Sequence, residues 1–148
     1  MPGSETLSKS SRWSEHRIRR RVQFHETDAA GIVHFSRFFC YMEEAEHALW
    51  RAAGLSIAPS GSTIGWPRLE ASFAYHRALR FEEEFEIRIR ITAVEEQKIR
   101  YACVLTRDGN KVATGTLTIV CASKRPGEAM RAIPIPPDIA ARFCPSHE

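Results

Sequence analysis

Phe35, Phe38, Phe39, Met42, Ala45, Leu49 and Ala53 recur at spacings of three and four, the period of an α-helix that buries one face. The pattern lasts for about five turns. Ser36 stands where an N-cap would accept a hydrogen bond from the amide of Phe38 or Phe39. Gly54 stands where a left-handed C-cap would end the helix. Tyr41 and Trp50 lie off the stripe, so the helix is apolar almost all round. Such a helix is expected to be wrapped by a sheet and by a neighbouring subunit.

Beyond the helix the period changes to two. Phe85, Ile87, Ile89 and Ile91 alternate with Glu86, Arg88, Arg90 and Thr92, the clearest strand signal in the chain. The β-branched stretches 98–106 and 111–121 predict two more strands, joined by the turn Arg107-Asp108-Gly109-Asn110. Leu69 to Leu79 predicts another, and Ile18 to Phe24 alternates loosely enough for a half-buried one. The tail "PIPPDIAARF" has room for a short helical turn. No internal repeat or domain linker interrupts the pattern. The expectation is a strand, a long helix and four consecutive antiparallel strands. They form one α+β domain over residues 17–148, after a disordered lead of residues 1–16.

Composition narrows the partners. A chain of 148 residues is long enough for one real core. It has no run of about 18 apolar residues, so no membrane insertion is expected, and no secretory apolar stretch at its start. Cys40, Cys103, Cys121 and Cys144 are scattered and read as free thiols in a reducing compartment, the cytoplasm. The formal charge is only +3, yet arginine supplies 17 of the 21 cations. The planar guanidinium suits phosphates and carboxylates, so a polyanionic small molecule is a plausible guest. The run Arg17-Ile18-Arg19-Arg20-Arg21 leads straight into strand sequence with no aromatic stacking motif nearby, and no nucleic-acid partner is expected. Glu43 and His47, at i and i+4, have no complementary ligand cluster, so no metal is expected. His25 and His76 fall within strand patterns and read as structural.

Asp28 is the residue whose chemistry is not explained by folding alone. It stands between the first strand and the long helix, with Gly31 three residues on. An aspartate there can cap the local backbone. It can equally face the unpaired N–H groups and partial positive charge of the helix N-terminus. Both readings stay open on the residues themselves.

The stretch "ETDAAGIVHFSRFFCYMEEA", with the strands after it and the tail "MRAIPIP", resembles the hot-dog-fold acyl-CoA thioesterases of the 4-hydroxybenzoyl-CoA thioesterase type. The likeness runs from about Arg17 to Phe143, and the family's Asp-x-x-Gly-hydrophobic-hydrophobic loop is matched by Asp28, Gly31, Ile32, Val33 and Phe35. It implies a long central helix wrapped by a curved antiparallel sheet, and hydrolysis of an acyl-CoA to a carboxylic acid and free coenzyme A. Asp28 would be nucleophile or general base, and the backbone amide of Phe35 would polarise the thioester carbonyl. Gly31, Val33 and His34 would contact substrate, and Lys124 and Arg125, with Arg131, would grip the coenzyme A phosphates. Trp66, Phe73 and the loop 56–65 are candidates for the acyl pocket. Coenzyme A would enter as part of the substrate, with no separate cofactor, and the protein would be a homodimer or homotetramer. Departures from the family are His34-Phe35 in place of an aromatic followed by histidine, Ala78 in place of a proline, and Glu82-Glu83 in place of Gly-Asp. Two other readings remain: a hot-dog hydratase or dehydratase, which the absence of a His-Phe-Pro-type motif argues against, and a non-catalytic acyl-CoA-binding protein. The acyl group, and the choice between nucleophile and base for Asp28, stay open.

Overall fold

The computed structural model describes residues 12–147. Strand β1 is Glu15–Arg21, helix α1 is Arg37–Ala52, and the short β2 is Ile64–Gly65. The long strands β3 (Arg68–Tyr75), β4 (Glu84–Val94), β5 (Lys98–Arg107) and β6 (Asn110–Val120) follow, then the short β7 (Ala122–Ser123), β8 (Arg131–Ala132) and the one-turn helix α2 (Pro137–Ala140). The five longer strands form an antiparallel sheet in the order β1-β4-β5-β6-β3. A second small sheet has the order β2-β7-β8. Helix α1 lies against β1 and β4, with lighter contact to β3. This is the expected α+β hot-dog arrangement.

Alternation decides which side of the sheet meets the helix. Phe85, Ile87, Ile89 and Ile91 of β4, Ile99, Tyr101 and Leu105 of β5, and Leu117 and Ile119 of β6 are all buried. The interleaved Glu86, Arg88 and Arg90 stay on the outer face, partly exposed. Burying each such apolar side chain contributes roughly 1.5–3 kcal/mol. The hairpin β5–β6 closes with Arg107 opposite Asn110. Asp108 and Gly109 both have positive φ, 51° and 79°, as the twist of a two-residue hairpin demands.

The first strand starts earlier than its pattern predicts. It runs Glu15–Arg21 rather than from Ile18 to Phe24, and Phe24–Glu26 is a 3-10 turn. Residues 1–11 of the expected disordered lead lie outside the described residues, but the end of that segment is structured. Trp13 bridges Phe143, donating its amide to the Arg142 carbonyl at 2.8 Å. The arginine run is neutralised rather than free. Arg17 pairs with Glu86, Arg19 and Arg21 with Glu84, and Arg20 with Glu26 and Glu44.

Helix α1 ends as expected. Gly54 has φ +82°, the Leu55 amide donates to Trp50 O at 2.9 Å and the Gly54 amide to Arg51 O at 3.0 Å, a Schellman closure. Its start differs: the Ser36 side chain caps no amide, because its hydroxyl is bonded to His34 Nδ1 at 2.8 Å. The breadth of the apolar surface has an explanation within one protomer. Trp50 is 1 % exposed, packed on Trp66 and Phe143 with ring centroids 5.1 Å from each, and Tyr41 is packed on Phe85. A neighbouring subunit is therefore not required to cover Trp50 or Leu49. Of the thiols, Cys103 and Cys121 are buried as expected, whereas Cys40 on the helix is exposed. No helix among the described residues is long and apolar enough to cross a membrane.

Candidate active site

Thr27 to Val33 forms a tight loop between β1 and α1, and its sequence explains its shape. The Asp28 amide donates to Ile32 O at 2.8 Å and the Gly31 amide to Asp28 O at 2.9 Å, while Thr27 and Val33 form an antiparallel bridge. Aspartate first and glycine fourth are favoured places in a β-turn. Gly31 has φ +82°, and a Cβ added there would meet nothing within 4 Å. Backbone conformation, not a close neighbour, demands glycine at that position.

The side chain of Asp28 does the local job expected of a turn residue. Its Oδ1 accepts the Ala30 amide at 2.8 Å and the Ile32 amide at 3.4 Å. Both bonds fall on the same oxygen. Oδ2 has no hydrogen-bond partner among the described residues, and Asp28 lines a cavity of about 340 Å³ with Ile32, Val33, Phe35, Phe38 and Tyr75. The turn thus fixes the carboxylate without using it up.

Two anchors hold this loop. On one side the Val33 amide donates to Leu79 O at 2.8 Å, and Ile32 bridges Arg80. On the other, the His34 amide donates to Glu26 O at 2.9 Å. The Glu26 carboxylate is 3 % exposed and accepts from the Gln23 amide, Arg20 and the Tyr41 hydroxyl. Burial would push this carboxyl up, but those three donors together hold it below the usual carboxylate range. A buried charge satisfied this fully is a rigid post beneath the loop.

The helix entrance supplies the other half of the site. The Ser36 amide is taken by His34 Nδ1 at 3.2 Å, and the Arg37 amide by His34 O at 2.9 Å. The Phe35 amide has no partner among the described residues, while its carbonyl accepts the Tyr75 hydroxyl at 2.9 Å. Tyr75 comes from β3 and lines the same cavity. An unpartnered amide and a carboxylate that belong to residues lining one cavity, at the positive end of a helix, form an arrangement that can hold a developing oxyanion.

Other expected site residues fall elsewhere. Val33 lines the cavity, but His34 does not. Its ring stacks on Phe35 at 4.6 Å and bonds Ser36, which orders the helix entrance. Gly31 shapes the loop without lining the cavity. Lys124 lines a different cavity, of about 310 Å³, with Glu43, His47, Trp66 and Arg68. Arg125 and Arg131 are exposed and line neither. Trp66, Phe73 and the loop 56–65 are likewise absent from the Asp28 cavity within one protomer.

The acids of "EEAEH" are tied into an ion network. Arg68 grips the fully buried Glu46 through two bonds, 2.6 and 3.2 Å, and Glu43 at 3.0 Å. Burial pushes the Glu46 carboxyl up even with Arg68 beside it. Two lining residues were missed by the sequence pattern, His76 and Arg77. Strand β3 ends at Tyr75, and the amides of His76 and Arg77 both donate to Val112 O, turning these side chains onto the Asp28 cavity.

The thioesterase-like superfamily matches residues 22–143. A 1,4-dihydroxy-2-naphthoyl-CoA hydrolase of Synechococcus elongatus is 28% identical over 112 residues, 73% of this chain and 82% of the relative. The crystal structure of a hypothetical protein from Aquifex aeolicus superposes with TM-score 0.77 at 26% identity, covering 84% of this chain and 95% of the other. A gentisyl-coenzyme A thioesterase structure gives 0.76 at 26% identity, covering 84% and 98%. With the fold, the Asp-x-x-Gly loop and a match that spans most of the sequence, the chain belongs to the thioesterase-like superfamily and is a thioester hydrolase of the hot-dog fold.

Proposed function

We propose that the protein hydrolyses an acyl-CoA thioester to the carboxylic acid and free coenzyme A, with Asp28 as nucleophile or general base and the Phe35 amide as oxyanion donor. The observation that carries the reading is the single cavity shared by Asp28, Phe35 and apolar walls at the start of α1. Asp28 Oδ2 either attacks the carbonyl carbon or takes a proton from the water that does. The carbonyl oxygen gains charge and accepts the Phe35 N–H, and collapse breaks the C–S bond to release coenzyme A as a thiolate; in the nucleophilic route water then hydrolyses the Asp28–acyl anhydride, giving the carboxylic acid and restoring the Asp28 carboxylate. Phe38 and Tyr75 meet edge to face, centroids 5.0 Å apart, on the cavity wall. Aromatic walls suit a flat acyl group, and two of the similar proteins are named for aromatic acyl-CoA substrates. We therefore expect aryl-CoA thioesters to be preferred over aliphatic ones.

Thiol release from a panel of aryl- and alkyl-CoA thioesters tests this. A non-catalytic binder would bind them and release no thiol, and a hydratase would consume enoyl thioesters with the C–S bond intact. Activity should survive exhaustive chelation, since no group of three His, Cys, Asp or Glu side chains converges among the described residues. Loss on chelation with recovery on stoichiometric zinc would refute the metal-free mechanism. The free cysteines support a cytoplasmic location.

We also infer a homodimer as the smallest stable unit, whether or not two dimers associate further. Strand β3 is a sheet edge with all but Phe73 exposed along its length, including Leu69 and Tyr75. A long edge with exposed apolar side chains and unpaired backbone groups is a template for pairing with another chain. The opposite edge, β1, is lined by paired arginines instead. Light scattering at micromolar concentration should give at least twice the monomer mass, and a stable active monomer would contradict the inference.

A further inference from the structure

We propose that Tyr75 is a positioning residue for the hydrolysis: by holding the Phe35 carbonyl it fixes the helix entrance around the Phe35 amide. The proposal rests on the acyl-CoA hydrolase reading above and adds to it a residue from the edge strand of the sheet.

The two peptide groups that flank Phe35 are planar, so what holds one end of each also holds the other. The Phe35 N–H shares its plane with the His34 carbonyl, which accepts the Arg37 amide at 2.9 Å. The Phe35 carbonyl shares the next plane with the Ser36 N–H. That plane is held at both ends, by the Tyr75 hydroxyl at 2.9 Å and by His34 Nδ1 at 3.2 Å. Among the described residues, the polar group of these two peptides left without a partner is the Phe35 N–H. In a continuing α-helix Phe35 O would accept the amide four residues on. The Phe39 amide instead donates to Ser36 O at 3.3 Å, and the Tyr75 hydroxyl takes the place of the missing donor. His34 and Arg37 belong to the entrance itself, whereas Tyr75 comes from β3 and ties the entrance to the sheet.

Packing places the Tyr75 ring. It meets Phe38 of α1 edge to face at 5.0 Å and stacks on Phe73 of β3 at 6.1 Å. Phe73 lies opposite Gly115 of β6, and a Cβ at Gly115 would come within 2.8 Å of the Phe73 ring. Glycine there leaves the room in which Phe73 supports Tyr75. Partial burial pushes the Tyr75 phenol above its ordinary range, which keeps it a hydrogen-bond donor through neutral pH.

Tyr75→Phe removes the hydroxyl and keeps the ring and the cavity wall. Its kcat should fall about 3- to 10-fold, the size of one neutral hydrogen bond. KM should change less than about twofold, because the loss falls on the transition state and not on the bound substrate. In hydrogen-exchange NMR of the free protein, the amides of Ser36 and Arg37 should exchange faster by about the same factor. In the Phe35→Pro background, where the amide is gone, adding Tyr75→Phe should cost no further rate. Circular dichroism and thermal melts on each variant confirm the fold. Wild-type kcat in Tyr75→Phe would overturn the proposal. So would a full additional loss in the double variant, which would mean that the hydroxyl acts on the substrate and not through Phe35. Faster exchange in a protein that released no thiol would uphold the hold of Tyr75 on the entrance while removing the hydrolase reading.

Discussion

Asp28→Asn is expected to fold as the wild type does and to lose about 10²–10⁴-fold of thioester turnover, the range for a lost general base, or more if Asp28 is the nucleophile. The substitution is unusually clean because of how the carboxylate is held. Oδ1 serves the turn, accepting the Ala30 and Ile32 amides, and an asparagine carbonyl can accept the same two bonds. What asparagine cannot supply is a basic or nucleophilic Oδ2. Asp28→Ala would remove both functions, so a low rate in that variant would not distinguish a broken loop from a missing catalyst. If Asp28 were only a turn residue, the order would reverse: Asn would be nearly silent and Ala harmful to folding. Steady-state rates and thermal melts on both variants check this. Wild-type turnover in a well-folded Asp28→Asn protein would remove Asp28 from the mechanism.

Much of this site was legible because its determinants are local. An aspartate and a glycine three apart specify a turn, and the apolar repeat from Phe35 to Ala53 specifies a helix beginning just beyond it. The helix start then puts Phe35, whose amide has no partner among the described residues, on the same cavity as the acid within a single short stretch. The hairpin at Asp108-Gly109 was legible for the same reason. Packing over long separations was not. Trp13 gains its place from Phe143, and Trp50 is covered by Trp66 and Phe143, so apolar residues that suggested a subunit contact are satisfied inside one protomer. The order β1-β4-β5-β6-β3 places β3 on the far edge, which no periodicity within β3 reveals. His76 and Arg77 continued an apparent strand from Leu69 to Leu79. Only the pairing of their amides with Val112 O ends that strand and turns both onto the cavity. Lys124 and Arg125, expected at the coenzyme A phosphates, do not line the Asp28 cavity within one protomer. They follow the last long strand in sequence, but proximity to Asp28 depends on the turn after β3.

The oxyanion role proposed for the helix entrance can be tested at Phe35, because its side chain and its backbone make separate contacts. The side chain is 64% exposed and makes a stacking contact with His34, so Phe35→Leu should retain most of the turnover. Its carbonyl is held by the Tyr75 hydroxyl, and that bond needs only the backbone oxygen. The amide has no partner within the described protomer, and Phe35→Pro removes it. Deleting one oxyanion donor costs about 2.7–4 kcal/mol in the barrier, a fall in kcat of about 10²–10³-fold. Proline lies two residues ahead of Arg37, the first residue of α1, so it interrupts no helical hydrogen bond. It does restrict His34 before it, and His34 orders the entrance through Ser36. The comparison therefore requires equal helix content and the same oligomeric state in both variants. With those matched, kcat for Phe35→Pro should fall at least about 100-fold below Phe35→Leu, while KM changes little, as expected for a bond strengthened in the transition state. Equal kcat in the two variants would place the oxyanion on another donor, and His76, which lines the Asp28 cavity, would be the side chain to substitute next.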